Sequence, residues 1–509
     1  MSDSNELSRR RQSRYSQVQR GLRVSRSLVL VSLAWGFGFC GRARSMGHEV
    51  AMSMAAWDGS FTVVTGFHDQ VRASGPTFSE LRAAYVARLE KNLNESIIGF
   101  WYPKCLDRKN GGYAINFGPT GEPKGDGAKM IVTQARMVWL FARLARARQA
   151  ADLGKDPGIS RRPRRGDTQN TAGEPGRPGS KDYLDAADLG YRFLKEEMWD
   201  PKNGGFYWEV DATGERKLKP NKHLYGQAFA LYAISEYYLA SNRRDVLDLA
   251  IQLFHLIEAR AHDEKYGGYV ESFDKDWTEL PRGDVSYMGT DSSLKLMNTH
   301  LHLLEAMTVF YRASSLPLAR QRLIELIEIQ SNTVVRKALG ACTDKYERDW
   351  TPRLDADYAR ISYGHDLENI WLLIDACEAA GISSYPLLDL YRAIFDYALK
   401  FGYDEQKGGF YDSGPFSHRA DNLNKTWWVQ AEALVSALSM YRLTGDRKYA
   451  SVFEKTYDFV EKYVVDRRNG EWYETVKPDG TQLGDKGHAW KAGYHDGRAM
   501  IECMRLLAE

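Results

Sequence analysis

Cysteine is scarce in this sequence and is not arranged for metal binding or for disulfides. The five cysteines are scattered over 509 residues, and no two of them form a Cys-x-x-Cys pair. An odd number of scattered thiols predicts buried free cysteines, without a disulfide framework or a zinc site. The sequence also lacks a His-Glu-x-x-His motif and a glycine-rich phosphate-binding loop. We therefore predict no cofactor.

Charge of either sign is nearly balanced, with a formal net charge of +2. Nine arginines against Asp3 and Glu6 give residues 1–44 a net charge of 9 − 2 = +7, which leaves 2 − 7 = −5 for the rest of the chain. This mildly acidic body offers no broad basic surface, so we predict no nucleic-acid partner.

Long apolar runs are confined to residues 28–40, which follow the N-terminal arginines. A membrane-spanning helix needs about 20 apolar residues, and a shorter run behind basic residues is typical of a signal peptide or a short signal anchor. A true start at Met46 or Met52 also fits the sequence. We predict that residues 1–75 are a basic, signal-like or disordered extension. If the true start is at Met46 or Met52, we predict a cytoplasmic protein. If translation starts at Met1, we predict an exported or periplasmic protein that contacts the membrane only through this anchor.

A short motif recurs along the rest of the chain: a charged turn, two glycines and an aromatic residue. It reads DRKNGGY, DPKNGGF, DEKYGGY, DEQKGGF and, in a weaker form, DRRNGEW, at residues 107–113, 200–206, 263–269, 404–410 and 466–472. The spacing predicts six units of roughly 65 residues over 76–509, with one degenerate copy near 342–350. Residues 152–182, rich in Arg, Pro, Gly and Asp, are predicted to be a disordered insertion.

The segments between these turns have apolar residues at i, i+3, i+4 and i+7, as amphipathic helices do. Strand character is limited to short aromatic pieces after the glycines. Two helices per unit predict an all-α fold in which twelve helices close into an (α/α)6 barrel. This toroid has short β-hairpins at one end and a pocket on its axis. An open solenoid is the alternative, but it would need polar capping repeats, and none is evident in the sequence.

The segment MNTHLHLLEA (297–306) places polar residues on an otherwise apolar helix. With 3.6 residues per turn, Asn298, His302 and Glu305 share one face, whereas His300 points elsewhere and is predicted to pack in the interior. A carboxylate one turn away fixes the tautomer of an imidazole, which suits proton transfer or sugar binding. The alternative interpretation is a buried core histidine whose hydrogen bonds are satisfied.

The segment SYGHDLENIWLL (362–373) has a similar pattern, since Glu368 follows His365 by three residues. We predict that His302 and His365 occupy equivalent places in successive units, and that Glu368 orients His365. Further candidates near the axis are Arg136, Trp427, Trp428, Trp490 and His495. These histidines and glutamates could hold a metal, but their His-x-x-Glu order is opposite to that of di-iron helical sites, and we predict none.

Four motifs in this order, MNTHLHLLEA, YGHDLE, WWVQAE and WKAGYHDGR, resemble the cellobiose 2-epimerases of the N-acylglucosamine 2-epimerase superfamily. The resemblance covers residues 76–509 and implies an (α/α)6 barrel. It also implies a disaccharide substrate (cellobiose, lactose or mannobiose) and a monomer or homodimer. Its motifs assign general acid/base chemistry to His365 and His495, substrate contact to His302, an active-site arginine to Arg136, a supporting carboxylate to Glu368, and sugar stacking to Trp490 and to Trp428 or Trp427. Asn298, Glu305 and Tyr225 are further candidates for substrate binding.

The reaction implied by the resemblance is epimerisation at C2 of the reducing-end sugar through a cis-enediolate. Four alternatives stay open: an aldose–ketose isomerase or an N-acylglucosamine or mannobiose 2-epimerase of the same superfamily, an (α/α)6 glycoside hydrolase, and a non-catalytic sugar-binding barrel. A hydrolase would need two carboxylates flanking the glycosidic bond, whereas histidines dominate the motifs found here.

Overall fold

The computed structural model describes residues 76–152, 178–355 and 358–508, and the apolar periodicity of these segments becomes helix. They form twelve α-helices of twelve or more residues. The odd-numbered helices are α1 Phe78–Lys91, α3 Ser180–Phe193, α5 Arg244–Ala261, α7 Pro317–Glu328, α9 Leu388–Gly402 and α11 Arg447–Phe459. The even-numbered helices are α2 Ile131–Asp152, α4 Leu224–Ser241, α6 Met297–Ser314, α8 Tyr363–Ala380, α10 Trp427–Thr444 and α12 His495–Ala508.

The even-numbered helices form an inner ring, because each packs on the next from α2 to α12. Their side chains are buried nearly all round, whereas each outer helix buries one apolar stripe against the inner ring, as a surface helix does. Arg143 of α2 and Glu502 of α12 form an ion pair at 3.0 Å, which brings the first and last inner helices together. The predicted twelve-helix (α/α)6 barrel is confirmed.

Short antiparallel strands gather at the end of the barrel where the inner helices begin. They pair as β1–β2, β3–β4, β5–β8, β6–β7, β9–β10 and β11–β12–β13. Their bounds are β1 Lys129–Met130, β2 Glu209–Val210, β3 Lys222–His223, β4 Ser272–Phe273, β5 Lys295–Leu296, β6 Val335–Arg336, β7 Ala341–Cys342, β8 Lys345–Tyr346, β9 Arg360–Ser362, β10 Ser413–Pro415, β11 Lys425–Thr426, β12 Thr475–Val476 and β13 Gln482–Leu483.

The recurring glycine motif forms the same hairpin five times, and each copy carries an aspartate–lysine ion pair. The lysine comes from the strand or loop that follows, 20 to 32 residues later, and its ammonium is almost fully buried. We call these the hairpin ion pairs: Asp107–Lys129 at 2.9 Å, Asp200–Lys222 at 2.7 Å, Asp263–Lys295 at 2.9 Å, Asp404–Lys425 at 2.8 Å and Asp466–Lys486 at 2.8 Å.

In five of the six units, the fourth residue of the inner helix joins the helix to the preceding hairpin. In three units it is a glutamine whose side chain bonds both the N–H and the C=O of the hairpin aromatic, as Gln227 does with Phe206 at 2.8 Å. His300 holds this place in α6: Nε2 accepts the Tyr269 N–H at 3.0 Å, and Nδ1 donates to the Leu296 carbonyl at 2.8 Å. The prediction that His300 packs in the interior is confirmed.

The degenerate hairpin lies earlier in the chain than predicted. Val335 of β6 pairs with Cys342 of β7 with the same seven-residue separation as Leu106 and Tyr113 in the first copy. The prediction of a copy near 342–350 missed it because Arg336 replaces the motif's aspartate and Ala341 its second glycine.

Three further predictions can be compared with the described residues. The insertion predicted at 152–182 extends too far, since residues 180–182 begin α3; residues 153–177 and the N-terminal 1–75 lie outside the described part of the chain. Cys105, Cys342, Cys377 and Cys503 are buried free thiols, as predicted. No helix within the described ranges is long and apolar enough to cross a membrane.

Candidate active site

The sixth residue of each of the first five inner helices lies near the barrel axis. These residues are Arg136, Phe229, His302, Glu368 and Glu432. The Arg136 guanidinium lies 4.4 Å from the centre of the Phe229 ring, and that ring lies 4.8 Å from the His302 ring. The two glutamates meet at the guanidinium of Arg498 from α12. The sixth position of five inner helices, together with Arg498 at the fourth position of α12, thus forms a charged and aromatic cluster.

His302 is held from behind by Glu305, as the sequence predicted. Its Nδ1 lies 3.1 Å from Glu305 Oε2, so the other nitrogen, Nε2, is left for a ligand. Burial lowers the pKa of His302 to about 4, against the opposing effect of Glu305. The imidazole is therefore neutral at neutral pH, and its tautomer carries the proton on Nδ1.

Glu305, predicted to bind substrate, binds protein groups in this structure. The residue is 3% exposed, and its carboxylate accepts hydrogen bonds from Tyr494 Oη, at 2.6 and 2.7 Å, and from Arg498 Nη1. Against the effect of burial, Arg498 and His302 lower the pKa of Glu305 to about 2. The carboxylate is thus an ionised support behind the imidazole. Asn298, one turn earlier on the helix, keeps a buried Oδ1 that has no protein partner among the described residues.

His365 is the third residue of α8, and its ring centre lies 4.8 Å from that of Trp428. Its ring nitrogens make no hydrogen bond to the described residues. Burial lowers the pKa of His365, opposed by Asp344 and Asp412. The prediction that Glu368 orients His365 is wrong, because Glu368 Oε1 accepts a hydrogen bond from Arg498 Nη2 at 2.6 Å instead.

The prediction that His302 and His365 occupy equivalent places in successive units is also wrong. His302 is the sixth residue of α6, and the sixth residue of α8 is Glu368. The 63 residues between the two histidines are three fewer than the 66 between the starts of their helices, Met297 and Tyr363. His365 therefore lies nearer the hairpin end of the axis than His302 does.

His495 is the first residue of α12. Like His302, it is hydrogen-bonded through Nδ1 to a glutamate. Its Nδ1 donates to Glu432 Oε1 at 2.7 Å, and Trp371 Nε1 donates to the other oxygen of Glu432 at 2.9 Å. Burial lowers the pKa of His495 well below its ordinary value, and the nearby cations Arg136 and Arg498 lower it further. His495 therefore presents a neutral ring whose free nitrogen is Nε2.

The two adjacent tryptophans separate, one into the core and the other beside two of the candidate histidines. Trp427 is 6% exposed and belongs to the apolar core. Trp428 is half-buried, and its ring centre lies 4.8 Å from that of His365 and 5.8 Å from that of His495. This approach requires Gly364, because a Cβ at that position would lie 2.4 Å from the Trp428 ring.

A second aromatic group lies at the mouth of the axis. Trp490 is 38% exposed, and its ring centre lies 6.0 Å from Tyr225 and 6.1 Å from Trp208. Arg136 connects this group to the axial cluster, since its Nη1 donates to the Trp490 carbonyl at 2.9 Å and its Nη2 to Tyr225 Oη at 3.4 Å. Flat faces beside polar groups suit a sugar ring.

Three donor groups are close enough together to share a metal ion: Glu368, Glu432 and His495, whose ligand atoms lie within 4.8 Å of one another. Two of these groups already bind a protein cation. Arg498 Nη2 donates to Glu368 Oε1 at 2.6 Å and to Glu432 Oε1 at 2.8 Å. The positive charge among these carboxylates is therefore a guanidinium, and the absence of a metal stays a prediction.

The sequence analysis missed Glu432, Tyr494 and Arg498 as members of the site. All three lie within quoted motifs or beside predicted residues, and each is nearly fully buried. Glu432 could have been recognised from its position, because it is the sixth residue of its helix, as Arg136 and His302 are of theirs.

Comparison with known proteins agrees with this architecture. Residues 170–499 match the family model of N-acylglucosamine 2-epimerase (GlcNAc 2-epimerase). The cellobiose 2-epimerase of Dictyoglomus turgidum is 30% identical over 425 residues, covering 82% of this chain and 97% of that protein. The D-mannose isomerase of Marinomonas mediterranea is 23% identical over 428 residues, covering 81% and 95%.

A solved structure shows the same fold along nearly its whole length. The cellobiose 2-epimerase from Bacillus thermoamylovorans superposes with a TM-score of 0.71 at 29% identity, covering 83% of this chain and 99% of that one. The matches in sequence and in structure thus span the same six-unit barrel that carries the histidines. The chain belongs to the cellobiose 2-epimerase family of the N-acylglucosamine 2-epimerase superfamily.

Proposed function

We propose that the protein epimerises C2 of the reducing-end sugar of β-1,4-linked disaccharides, converting cellobiose to glucosyl-mannose and lactose to epilactose. Membership of the family supports this reaction class. The observation that carries the proposal is the placement of two imidazoles, the half-buried His365 and the buried His495, against one indole, that of Trp428. Two proton-transfer groups on opposite sides of a sugar are what inversion at C2 needs.

The reaction begins with opening of the sugar ring. A proton leaves the O1 hydroxyl, the C1–O5 bond breaks, and O5 gains a proton, which leaves an aldehyde at C1. One histidine then takes the proton from C2. The C2–H electrons form the C1–C2 double bond, and the carbonyl electrons move to O1, so that a planar enediolate forms.

The second histidine gives a proton to C2 from the other face, and the electrons return from O1 to restore the carbonyl. His365 and His495 exchange these roles when the direction of reaction reverses. The step neither oxidises nor reduces the sugar as a whole. The donating imidazole must be protonated, and the negative charge of the neighbouring enediolate opposes the effect of burial and favours that form.

Arg136 and His302 are the groups we assign to the enediolate oxygens. Arg136 supplies a fixed positive charge, and His302 can donate through Nε2 when protonated or accept a hydroxyl proton when neutral. Charge placed before the reaction stabilises a developing oxyanion most strongly in a site that excludes water. Trp428 and Trp490 are assigned to stacking on the two sugar rings, with Tyr225 and Asn298 as further substrate contacts.

The test is an incubation of the protein with cellobiose or lactose in D2O. We expect the C2-epimeric disaccharide with one deuterium at C2, observed by NMR. Release of monosaccharide would indicate a hydrolase, and recovery of unchanged, undeuterated substrate would indicate a sugar-binding barrel. Either result contradicts the proposal.

A second candidate, aldose–ketose isomerisation, is favoured by the D-mannose isomerase relative. Both reactions pass through an enediolate, but the isomerase returns the proton to C1 and needs one base on one face. The ratio of fructose-type to mannose-type product separates the two. A product that is mostly ketose would replace the epimerase assignment.

A further inference from the structure

One guanidinium, that of Arg498 in α12, lies among three carboxylates from three other inner helices. Its Nη1 donates to Glu305 of α6, and its Nη2 donates to Glu368 of α8 at 2.6 Å and to Glu432 of α10 at 2.8 Å. Nη1 also bonds Tyr494 Oη. The side chain is 1% exposed, so it acts through these protein groups and does not face solvent.

Two of the three carboxylates each hold one imidazole of the site. Glu305 Oε2 lies 3.1 Å from His302 Nδ1, and Glu432 Oε1 lies 2.7 Å from His495 Nδ1. Arg498 is thus one hydrogen bond removed from both histidines. The shared carboxylate oxygen of Glu432 accepts from Arg498 and from His495 at once, so the position of one donor fixes that of the other.

We infer that Arg498 is the positioning residue that sets the orientation and the proton-bearing nitrogen of His302 and His495 together. It does so by holding the two carboxylates behind them. This inference rests on the proposed function for its catalytic consequence. Its structural part, the state of the two imidazoles, can be measured without any turnover.

Electrostatics support this assignment. A carboxylate buried without a cation tends to become protonated. The neutral acid accepts an imidazole N–H more weakly than a carboxylate does, and it can instead donate its own proton to Nδ1. The other cation of the cluster, Arg136, bonds Trp490 and Tyr225 and makes no hydrogen bond to these carboxylates. Arg498 is therefore the charge that favours the ionised, proton-accepting form of Glu305 and of Glu432, although burial still raises the pKa of Glu432 above its ordinary value. Burial and Glu432 also raise the pKa of the third carboxyl, Glu368.

The chemistry also favours arginine over lysine at this position. A guanidinium is planar and presents several N–H groups in a fixed fork, so that two nitrogens can serve carboxylates on different helices. An ammonium would supply the charge without the fork. The Arg498→Lys variant should therefore keep the carboxylates ionised but lose part of the hydrogen-bond geometry. It separates the contribution of the charge from that of the guanidinium fork.

The experiment compares Arg498→Met, Arg498→Lys and the control Arg143→Met. Arg143 is half-buried and paired with a glutamate, Glu502, at 3.0 Å, and it lies two helical turns beyond Arg136 on α2. Arg143 and Arg498 line one cavity of about 290 Å³. Loss of Arg143 removes a half-buried ion pair without touching the carboxylates that hold the histidines.

The first measurement is ¹⁵N NMR of histidine-labelled protein between pH 4 and 8, with His302 and His495 assigned by substitution. In the wild type we expect both to be neutral with the proton on Nδ1, and the same in Arg143→Met. In Arg498→Met we expect mixed tautomers and proton uptake at a pH higher by about one unit, because a nearby cation has been removed. Retained tautomers and unchanged titration in Arg498→Met would overturn the inference.

The second measurement is the pH dependence of epimerisation. We expect Arg498→Met to lose about 100-fold in kcat with little change in KM, because the two imidazoles are misplaced while the substrate contacts remain. We also expect the acid limb of its pH–rate profile to move to higher pH. Arg498→Lys should keep the acid limb and lose about 10-fold in kcat; it decides the matter if Arg498→Met does not fold. An acid limb that moves equally in Arg143→Met would overturn the inference. A wild type that forms no epimer would overturn the proposed function and leave the NMR result to decide the role of Arg498.

Discussion

The six units carry largely the same residues at the hairpin end of the barrel and different residues on its axis. Each glycine hairpin carries the same aspartate–lysine pair, such as Asp200–Lys222, in five of six units. In four units the fourth residue of the inner helix then bonds the hairpin aromatic, through glutamine in three of them and through His300 in the other. Two residues later, at the sixth position, no such agreement exists. Arginine, phenylalanine, histidine and two glutamates stand there in turn.

This difference separates what builds the barrel from what acts inside it. Positions that recur hold one hairpin to one helix, a local task that is the same in every unit. Positions that differ meet on the axis, where each must complement the others, as Arg498 complements Glu368 and Glu432. The recurring contacts therefore hold the barrel together in this protein, and the varied sixth positions supply the groups on its axis.

The largest expected effect on stability comes from breaking one of the repeated positions. Lys222→Met leaves the Asp200 carboxylate buried without its cation, at a site where the pair is 2.7 Å apart and the lysine side chain is fully buried. We expect a loss of about 3 to 5 kcal/mol in the free energy of unfolding. The control is Arg216→Met, whose partner Asp211 lies at 2.9 Å but whose own side chain is 79% exposed. Its loss should stay within about 1 kcal/mol, as urea unfolding can show; equal losses would contradict the account.

A matched pair of histidines two residues apart sharpens the comparison in activity. His300→Gln restores the residue that three other units carry at the fourth position, so activity and stability should change little. His302→Gln removes an axial group and should lower kcat/KM by about 100- to 1,000-fold. Initial rates of epimer formation, with thermal unfolding as the check on folding, measure both. Similar losses in the two variants would remove the distinction between fourth and sixth positions.

The smallest effect concerns acid stability. The pKa of His302 is lowered by burial to about 4, against an ordinary value of 6.5, so below pH 6.5 the unfolded chain binds a proton that the folded chain does not. The free energy of unfolding should therefore fall as the pH drops from 7 to 5, by about 2 kcal/mol from His302 alone. His302→Gln should lack that part of the decline when urea unfolding is compared at the two pH values. An equally steep decline in the variant would show that His302 is not held neutral.

Local features of the fold were predictable from sequence because their causes are local. Two glycines and an aspartate determine a hairpin within seven residues, and the apolar spacing determines a helix within eighteen. The one hairpin that was misplaced, Val335 to Cys342, lacks both the aspartate and the second glycine. Of the motif only Gly340 remains, and the hairpin is held instead by Asp366 of α8, which accepts the Cys342 N–H at 3.1 Å.

The axial network was not predictable in the same way. Helical spacing correctly joined Glu305 to His302 because both stand on one helix. The same reasoning failed for Glu368, whose carboxylate is taken by Arg498, 130 residues further along the chain. Which of several polar neighbours a buried carboxylate binds depends on helices that meet only in the closed barrel.

The most direct test of the two-histidine claim is hydrogen exchange at C2 by variants that keep one histidine. His365→Ala and His495→Ala are each incubated in D2O with both C2 epimers of the disaccharide, and deuterium at C2 is measured by NMR. A single remaining imidazole can remove and return a proton on one face only. We expect each variant to exchange one epimer without forming the other, and the two variants to exchange different epimers. An epimerase that stays active in His495→Ala, or exchange of the same epimer by both variants, would contradict the account.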